Sequence, residues 1–258
     1  MEFSVTQNIA NLRRYVKRAR FVMLPNAYGE TPILRARFND AVFISQKQRY
    51  LFASNEKVAN STLRATFQSL ECGGRLPPHY KPFKRWTGPL LQPSDVNDFE
   101  ALLADASIRK FCIVRHPYSR LVSCYRDKLE RSSQRPGYRR KLRELGLPPD
   151  RPVSFADFLA AVAKQPQELM NSHWRVQYFN VFMDRVRYDE IVRYEALPER
   201  LPGLLAELYP HAAADALLVR HRQEQSSDEL VERYFTPEMK RLAQEVYALD
   251  FRTFAYPT

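Results

Sequence analysis

Phe3, Val5, Ile9, Leu12 and Val16 recur at helical spacing and predict an amphipathic helix at the start of the chain, leading into a Pro/Gly-punctuated loop through "LPNAYGETP" up to about residue 40. The runs "AVFIS" and "RYLFAS", separated by the polar "QKQ", predict a hairpin. Leu63, Phe67 and Leu70 then mark a helix buried on one face that ends near "CGG". The following "RLPPHYKPFKRWTGPLLQP" carries five prolines and predicts an irregular surface loop. "SDVNDFEALLADAS" predicts a helix capped by Ser94 or Asp95. "KFCIV" is a short continuous apolar run suited to a buried parallel strand, and Leu121, Val122, Tyr125 and Leu129 form a helical stripe behind it. Ser154 with Asp157, Ser226 with Glu229, and Thr236 with Pro237 signal later helix starts, and "VRYDEIVRYE" another strand. Strands alternating with helices predict an α/β fold around a parallel sheet, in a single domain over residues 1–258.

Composition narrows the function. At 45% hydrophobic and 27% charged the chain is globular, and no apolar run approaches the roughly 18–20 residues that cross a bilayer. The opening residues lack the order of a secretory signal, because the basic cluster follows the apolar positions. Cys72, Cys112 and Cys124 are too few and too widely spaced for a disulfide framework or a zinc knuckle, which predicts a reducing, cytoplasmic setting. A net charge of +11 implies an anionic partner: nucleic acid, an acidic polymer, an anionic membrane or a multiply phosphorylated small molecule. The basic residues bunch at Arg13–Arg20 and at Arg131–Arg143, each of which also reads as a solvated face.

Two strand-to-helix junctions carry candidate chemistry. In "EKVANSTLR" a strand, a tight loop with Lys57, the hydroxyls of Ser61 and Thr62, and a helix follow one another without a single glycine. Helix N–H groups, the helix dipole and a lysine together hold a phosphate or sulfate. The plainer reading is that Ser61 caps the helix and Lys57 is solvated, and the Walker pattern is not met. At the second junction Arg115 ends the "FCIV" strand, Pro117 starts a helix, and Ser123 lies within it. Arg115 suits a forked contact to phosphate, or equally a structural pair with a carboxylate.

In order, "KVANSTLR" and "FCIVRHPYSRLVSCYRDKL" closely resemble the two nucleotide-binding elements of sulfotransferases that use 3'-phosphoadenosine 5'-phosphosulfate. The carbohydrate family that includes Golgi chondroitin and dermatan 4-O-sulfotransferases and bacterial relatives is the nearest in pattern. "HWRVQ", "RYDEIVRYEALPE" and "YFTPEMKRLAQEVYALDFRTFAY" are similar to its later segments, so the resemblance runs from about residue 41 to the C-terminus. Glu56 stands where the family has proline, Asn60 where it has a cysteine or small residue, and His116 where it has an acid. The resemblance implies a Rossmann-like, P-loop-related fold and a sulfuryl donor, 3'-phosphoadenosine 5'-phosphosulfate, with no metal. It assigns Lys57, Val58, Ala59, Asn60, Ser61, Thr62 and Arg64 to the 5'-phosphosulfate, and Arg115 and Ser123 to the 3'-phosphate.

An acceptor hydroxyl needs a base, and five histidines are available. His79, in the proline-rich loop, is favoured as base, with a Glu or Asp of the same loop as the alternative; His173, at the family's His-Trp-Arg position, is a second catalytic candidate or orders the cofactor or acceptor pocket; His116 is expected to face the 3'-phosphate, and His211 and His221 to be solvated. Arg139, Arg140, Trp174 and Arg175 are candidate contacts for a carbohydrate or glycolipid acceptor, possibly an acidic one. The N-terminal basic helix reads either as a peripheral membrane contact on the inner face or as a helix packed on the domain. Golgi members carry an anchor and extra disulfides, so a soluble bacterial enzyme is expected. A kinase with a degenerate phosphate loop and a non-catalytic polyanion-binding module are the competing readings; no nucleic-acid-binding signature supports the second. The oligomeric state is open.

Overall fold

The computed structural model describes residues 5–74, 88–131, 137–149, 151–212 and 230–258, with side chains from residue 10 onward. Four strands form one sheet in the order β1 (Val42–Ser45), β2 (Tyr50–Ala53), β3 (Arg109–Val114), β4 (Glu190–Arg193). β1 and β2 are the expected antiparallel hairpin, and β2, β3 and β4 run parallel, Phe52 pairing with Phe111 and Cys112 with Ile191. Every residue of β1 and β2, and all of β3 after Arg109, is buried. Such strands need cover on both faces, which the helices supply.

Strand alternation sorts the core into two layers. Ile44, Leu51, Ala53, Cys112 and Val114 face one way, toward Phe38, Leu121, Phe158 and Trp174. Phe43, Tyr50, Phe52, Phe111 and Ile113 face the other, toward Val58, Leu63, Phe67, Leu201 and Leu204. Each fully buried aliphatic or aromatic side chain contributes about 1.5–3 kcal/mol, so both faces are anchored. The second layer comes from α3 (Asn60–Glu71) and α9 (Leu197–Leu208). The first includes α2 (Pro32–Ala41), α5 (Pro117–Tyr125) and α7 (Phe155–Ala163).

Ahead of the sheet lies α1 (Val5–Met23), and the loop expected up to residue 40 is interrupted by α2, which Thr31 caps by accepting the Leu34 N–H. Its start signal, Thr31 followed by Pro32, is the same as that of α11 (Pro237–Val246), which Thr236 caps. Two basic residues of α1, Arg14 and Arg18, face the protein, while Arg13, Lys17 and Arg20 are exposed. Arg14 forks onto Asp95 at 2.7 Å and donates to the carbonyls of Gly88 and Leu90, while Arg18 pairs with Asp40 at 2.8 Å. Exposed Leu12, Tyr15 and Val16 lie on the outer side. With Asp95 so engaged, α4 (Phe99–Ala104) is capped by Asp98, not by the expected Ser94 or Asp95. The Ser226–Glu229 signal and most of the proline-rich loop, His79 included, lie outside the described residues. No described helix is long and apolar enough to cross a membrane.

Candidate active site

Both expected junctions open at the carboxyl ends of adjacent parallel strands, where open α/β sheets bind ligands. After β2 the chain turns through Glu56–Ala59 into α3. Val58, fully buried in the second core layer, pins the turn. Lys57 and Ala59 both adopt positive φ, at 72° and 59°. These are left-handed conformations in which glycine is usual, here held by two residues with side chains. Ala59 is the N-cap of α3 and offers no side-chain acceptor to the helix amino terminus. Ser61, one residue inside, is exposed, so the reading of Ser61 as cap does not hold. Asn60 is buried with its Oδ1 unpartnered among the described residues.

Lys57 is held in place by Asp127, Nζ to Oδ2 at 2.9 Å. Asp127 sits on a π-helical turn, Arg126–Glu130, that continues α5, and Lys128 reaches the same carboxylate at 2.9 Å. Burial pushes the Asp127 carboxyl up, but the charge of Lys57 and hydrogen bonds from Lys57 and Lys128 outweigh it and hold it at about 2.

Arg115 closes the turn from behind. Its guanidinium is buried, stacks at 4.3 Å over Tyr194, and donates to the Lys57 carbonyl at 3.3 Å and to Ser119 Oγ at 3.2 Å. Ser119 is thus the hydroxyl that meets Arg115, while Ser123 lies one turn further along α5 and is half-buried. Arg64, on α3, stacks at 4.9 Å over Phe43. The Arg115 main chain is locked by Gln177, which accepts its N–H at 2.9 Å and donates to its carbonyl at 2.7 Å. Gln177 also accepts from Asn55, beside the first turn, and its own N–H goes to buried Asp250 at 2.9 Å. One amide therefore fixes both junctions relative to each other.

His173 lies on the same side as Lys57. Asn171 Nδ2 donates to Glu144 at 2.9 Å, which leaves Asn171 Oδ1 to accept from His173 Nδ1 at 2.6 Å. The ring therefore carries its proton on Nδ1 and leaves the Nε2 lone pair on the side of Glu56. Nε2 stands 3.9 Å from the Glu56 carboxylate. Burial drives the His173 pKa down to about 3; Glu56 opposes this, and Lys128, Lys141 and Lys57 add to it. The imidazole is neutral and basic in form at ordinary pH.

The structure corrects the expectations for His116 and Trp174 and places the other expected residues. His116 does not face an anion site: it caps α5, accepting the Tyr118 N–H on Nδ1, and its Nε2 donates to the Pro257 carbonyl at 3.1 Å. Trp174 is fully buried against Phe158 with its indole N–H on Gln165, so it belongs to the core and not to an acceptor surface. Arg139 and Arg140 are exposed on α6 (Tyr138–Leu145); Lys141 is the member of that run that turns inward, over Trp174. Arg175 is buried and packs against the Phe179 ring at 5.5 Å. The contributions of Asp127, Ser119 and Gln177 were not anticipated, although all three lie inside the segments that carry the resemblance. Among the described residues no group of three or more His, Cys, Asp or Glu side chains gathers as a metal site.

A model of the sulfotransferase family matches residues 40–257, from the end of α2 to the penultimate residue. The chain belongs to that family. Among curated members it is 32% identical over 160 residues to human carbohydrate sulfotransferase 14, covering 57% of this chain and 42% of that protein. To rat carbohydrate sulfotransferase 11 it is 29% identical over 174 residues, covering 58% and 47%. To human carbohydrate sulfotransferase 10 it is 26% identical over 251 residues, covering 84% and 67%. The chain spans less than half the length of the first two relatives. No solved structure matches with significance.

Proposed function

We propose that this chain transfers a sulfuryl group from 3'-phosphoadenosine 5'-phosphosulfate to a hydroxyl of a carbohydrate acceptor, free or on a glycolipid. The observation that carries the reading is the pairing of two cationic junctions, Lys57 at an uncapped helix start and Arg115 behind it, within a chain of this family. The residues fit the donor: Lys57, Lys128 and the N–H groups at the start of α3 surround the first turn, and Arg115 with Ser119 the second.

The donor supplies an activated sulfuryl group, whose bond from sulfur to the bridging oxygen breaks as one to the acceptor oxygen forms. Lys57 and the α3 N–H groups stabilise the negative charge left on the departing phosphate, which is where fixed donors lower a barrier most. His173 Nε2 takes the acceptor's proton, and Glu56 stabilises the imidazolium that results. This reading moves the base from His79, favoured from the sequence and outside the described residues, to His173, and the tautomer of His173 supports it. It also gives Glu56 a task.

Calorimetry with 3'-phosphoadenosine 5'-phosphate tests the donor site. We expect tight binding, lost roughly a hundredfold in Lys57→Ala or Arg115→Ala; preference for ATP over this nucleotide would return the site to the kinase reading. The reducing, cytoplasmic setting and bacterial source expected from the sequence remain part of this proposal; the relatives compared are vertebrate.

A further inference from the structure

The turn that is to receive an anion already holds one of its own. Lys57 Nζ lies 2.9 Å from Asp127 Oδ2, and among the described residues no other carboxylate pairs with that ammonium. The Lys57 side chain is 13% exposed and that of Asp127 35%, so the pair is partly shielded from water. Shielding strengthens the attraction within the pair, and equally the repulsion between Asp127 and any anion placed beside Lys57. A site built only to attract a polyanion has no use for a carboxylate there.

Asp127 approaches Lys57 from a separate element. Its π-helical turn is closed by the Arg131 N–H, which donates to the Arg126 carbonyl at 3.0 Å, five residues back. Turns of this kind are rare and concentrate at functional sites. The Lys57 main chain is fixed by its left-handed conformation, φ 72°, and by Arg115, which donates to its carbonyl at 3.3 Å. What is free to move is the side chain, a flexible stem that carries a compact charge. Lys128 supplies the complement, because its Nζ also lies 2.9 Å from Asp127 Oδ2. Asp127 therefore keeps a cation when Lys57 leaves it. No shielded carboxylate is stranded, and stranding one partner is what makes such a pair costly to break.

We propose that Asp127 is a positioning residue that holds Lys57 as an internal stand-in for the nucleotide's 5'-phosphate. When the nucleotide binds, Lys57 turns from Asp127 to the phosphate oxygens, and Asp127 stays with Lys128. The exchange rests on reading this turn as the donor site of a sulfotransferase. It keeps the ammonium in one place before the ligand arrives, so that little reorganisation is left for the moment of reaction. It also sets a limit on affinity, since the nucleotide must displace one carboxylate and then lie beside its charge.

Calorimetry on the full chain tests the exchange, with 3'-phosphoadenosine 5'-phosphate and with adenosine 3'-phosphate, which lacks the 5' group. Asp127→Asn keeps the size of the side chain and removes its charge. It is expected to bind the bisphosphate at least about threefold more tightly than the parent, a gain within the range of a partly exposed ion pair. Asp127→Glu, which keeps the charge, is expected to show no gain, and neither substitution is expected to change binding of the monophosphate. Weaker or unchanged bisphosphate binding in Asp127→Asn overturns the proposal, as does an equal gain for the monophosphate or for Asp127→Glu. A crystal structure of the parent with the bisphosphate decides the matter even if Asp127→Asn fails to fold. Lys57 Nζ is expected beyond the roughly 4 Å of an ion pair from Asp127, with Lys128 still in place. An intact Lys57–Asp127 pair in that complex overturns the exchange. Failure of the parent to bind the bisphosphate at all would instead remove the sulfotransferase reading, and the exchange with it.

Discussion

Ala59 sets the character of the donor loop at the scale of a single residue. Its left-handed backbone costs an L-residue about 1–2 kcal/mol, part of which glycine recovers and part of which glycine loses again as chain entropy. Ala59→Gly should therefore leave the melting temperature unchanged or raise it slightly, whereas Ala59→Val should destabilise by more than about 1 kcal/mol in thermal unfolding. His173 makes a prediction in pH. Its folded pKa of about 3 lies below the ordinary 6.5, so between these values the unfolded chain binds the extra proton and stability falls as pH falls. His173→Gln should flatten that acid limb in denaturant titrations across pH 3 to 6.5. The same variant should lower kcat by about 10²–10⁴ with nucleotide affinity kept. Single-residue environment was the least legible layer. Trp174 has the side chain of a sugar platform and Arg175 that of a surface contact, but the order of packing around α7 and α8 (Gln177–Asn180) buries both.

The elements were legible where local signals agreed. β3 and α5 follow from a continuous apolar run and a proline at the helix start, and the antiparallel hairpin from two apolar runs about a polar turn. α2 was missed because its apolar positions are few and arginines stand between them, so that only the Thr31–Pro32 start marks it. The cap of α4 moved to Asp98 because a partner far away in sequence, Arg14, takes Asp95. Long-range polar pairing of this kind leaves no periodic trace. Gln177 is the strongest case, joining Asn55, Arg115 and Asp250 across three elements. Gln177→Ala leaves several buried groups without partners, at about 1–3 kcal/mol each. A melting-temperature loss equivalent to at least about 3 kcal/mol is expected, accompanied by weakened nucleotide binding, because the two anion-binding turns lose their common brace.

At the scale of the whole molecule the charge of +11 was visible from composition, but not how it is spent. Arg14 and Arg18 fasten α1 to the body, and Arg109 and Arg200 lock β4 to α9 through Glu190 and Glu207. Lys57, Lys128, Lys141 and Arg115 form the field that the proposed polyanionic nucleotide would meet. Its affinity should fall roughly tenfold between about 50 and 300 mM monovalent salt, with the change residing mainly in the association rate under stopped flow. The far end of the chain enters this picture too. Pro257 is hydrogen-bonded to the cap of α5, Tyr256 to Glu195, and Arg193 holds the carbonyls of Phe254 and Ala255. A reporter dye or an anchoring tag attached behind Thr258 would hang two residues from the helix that follows Arg115. Such a label becomes a gauge of nucleotide occupancy, and a rigid fusion partner at the same point becomes a brake on it.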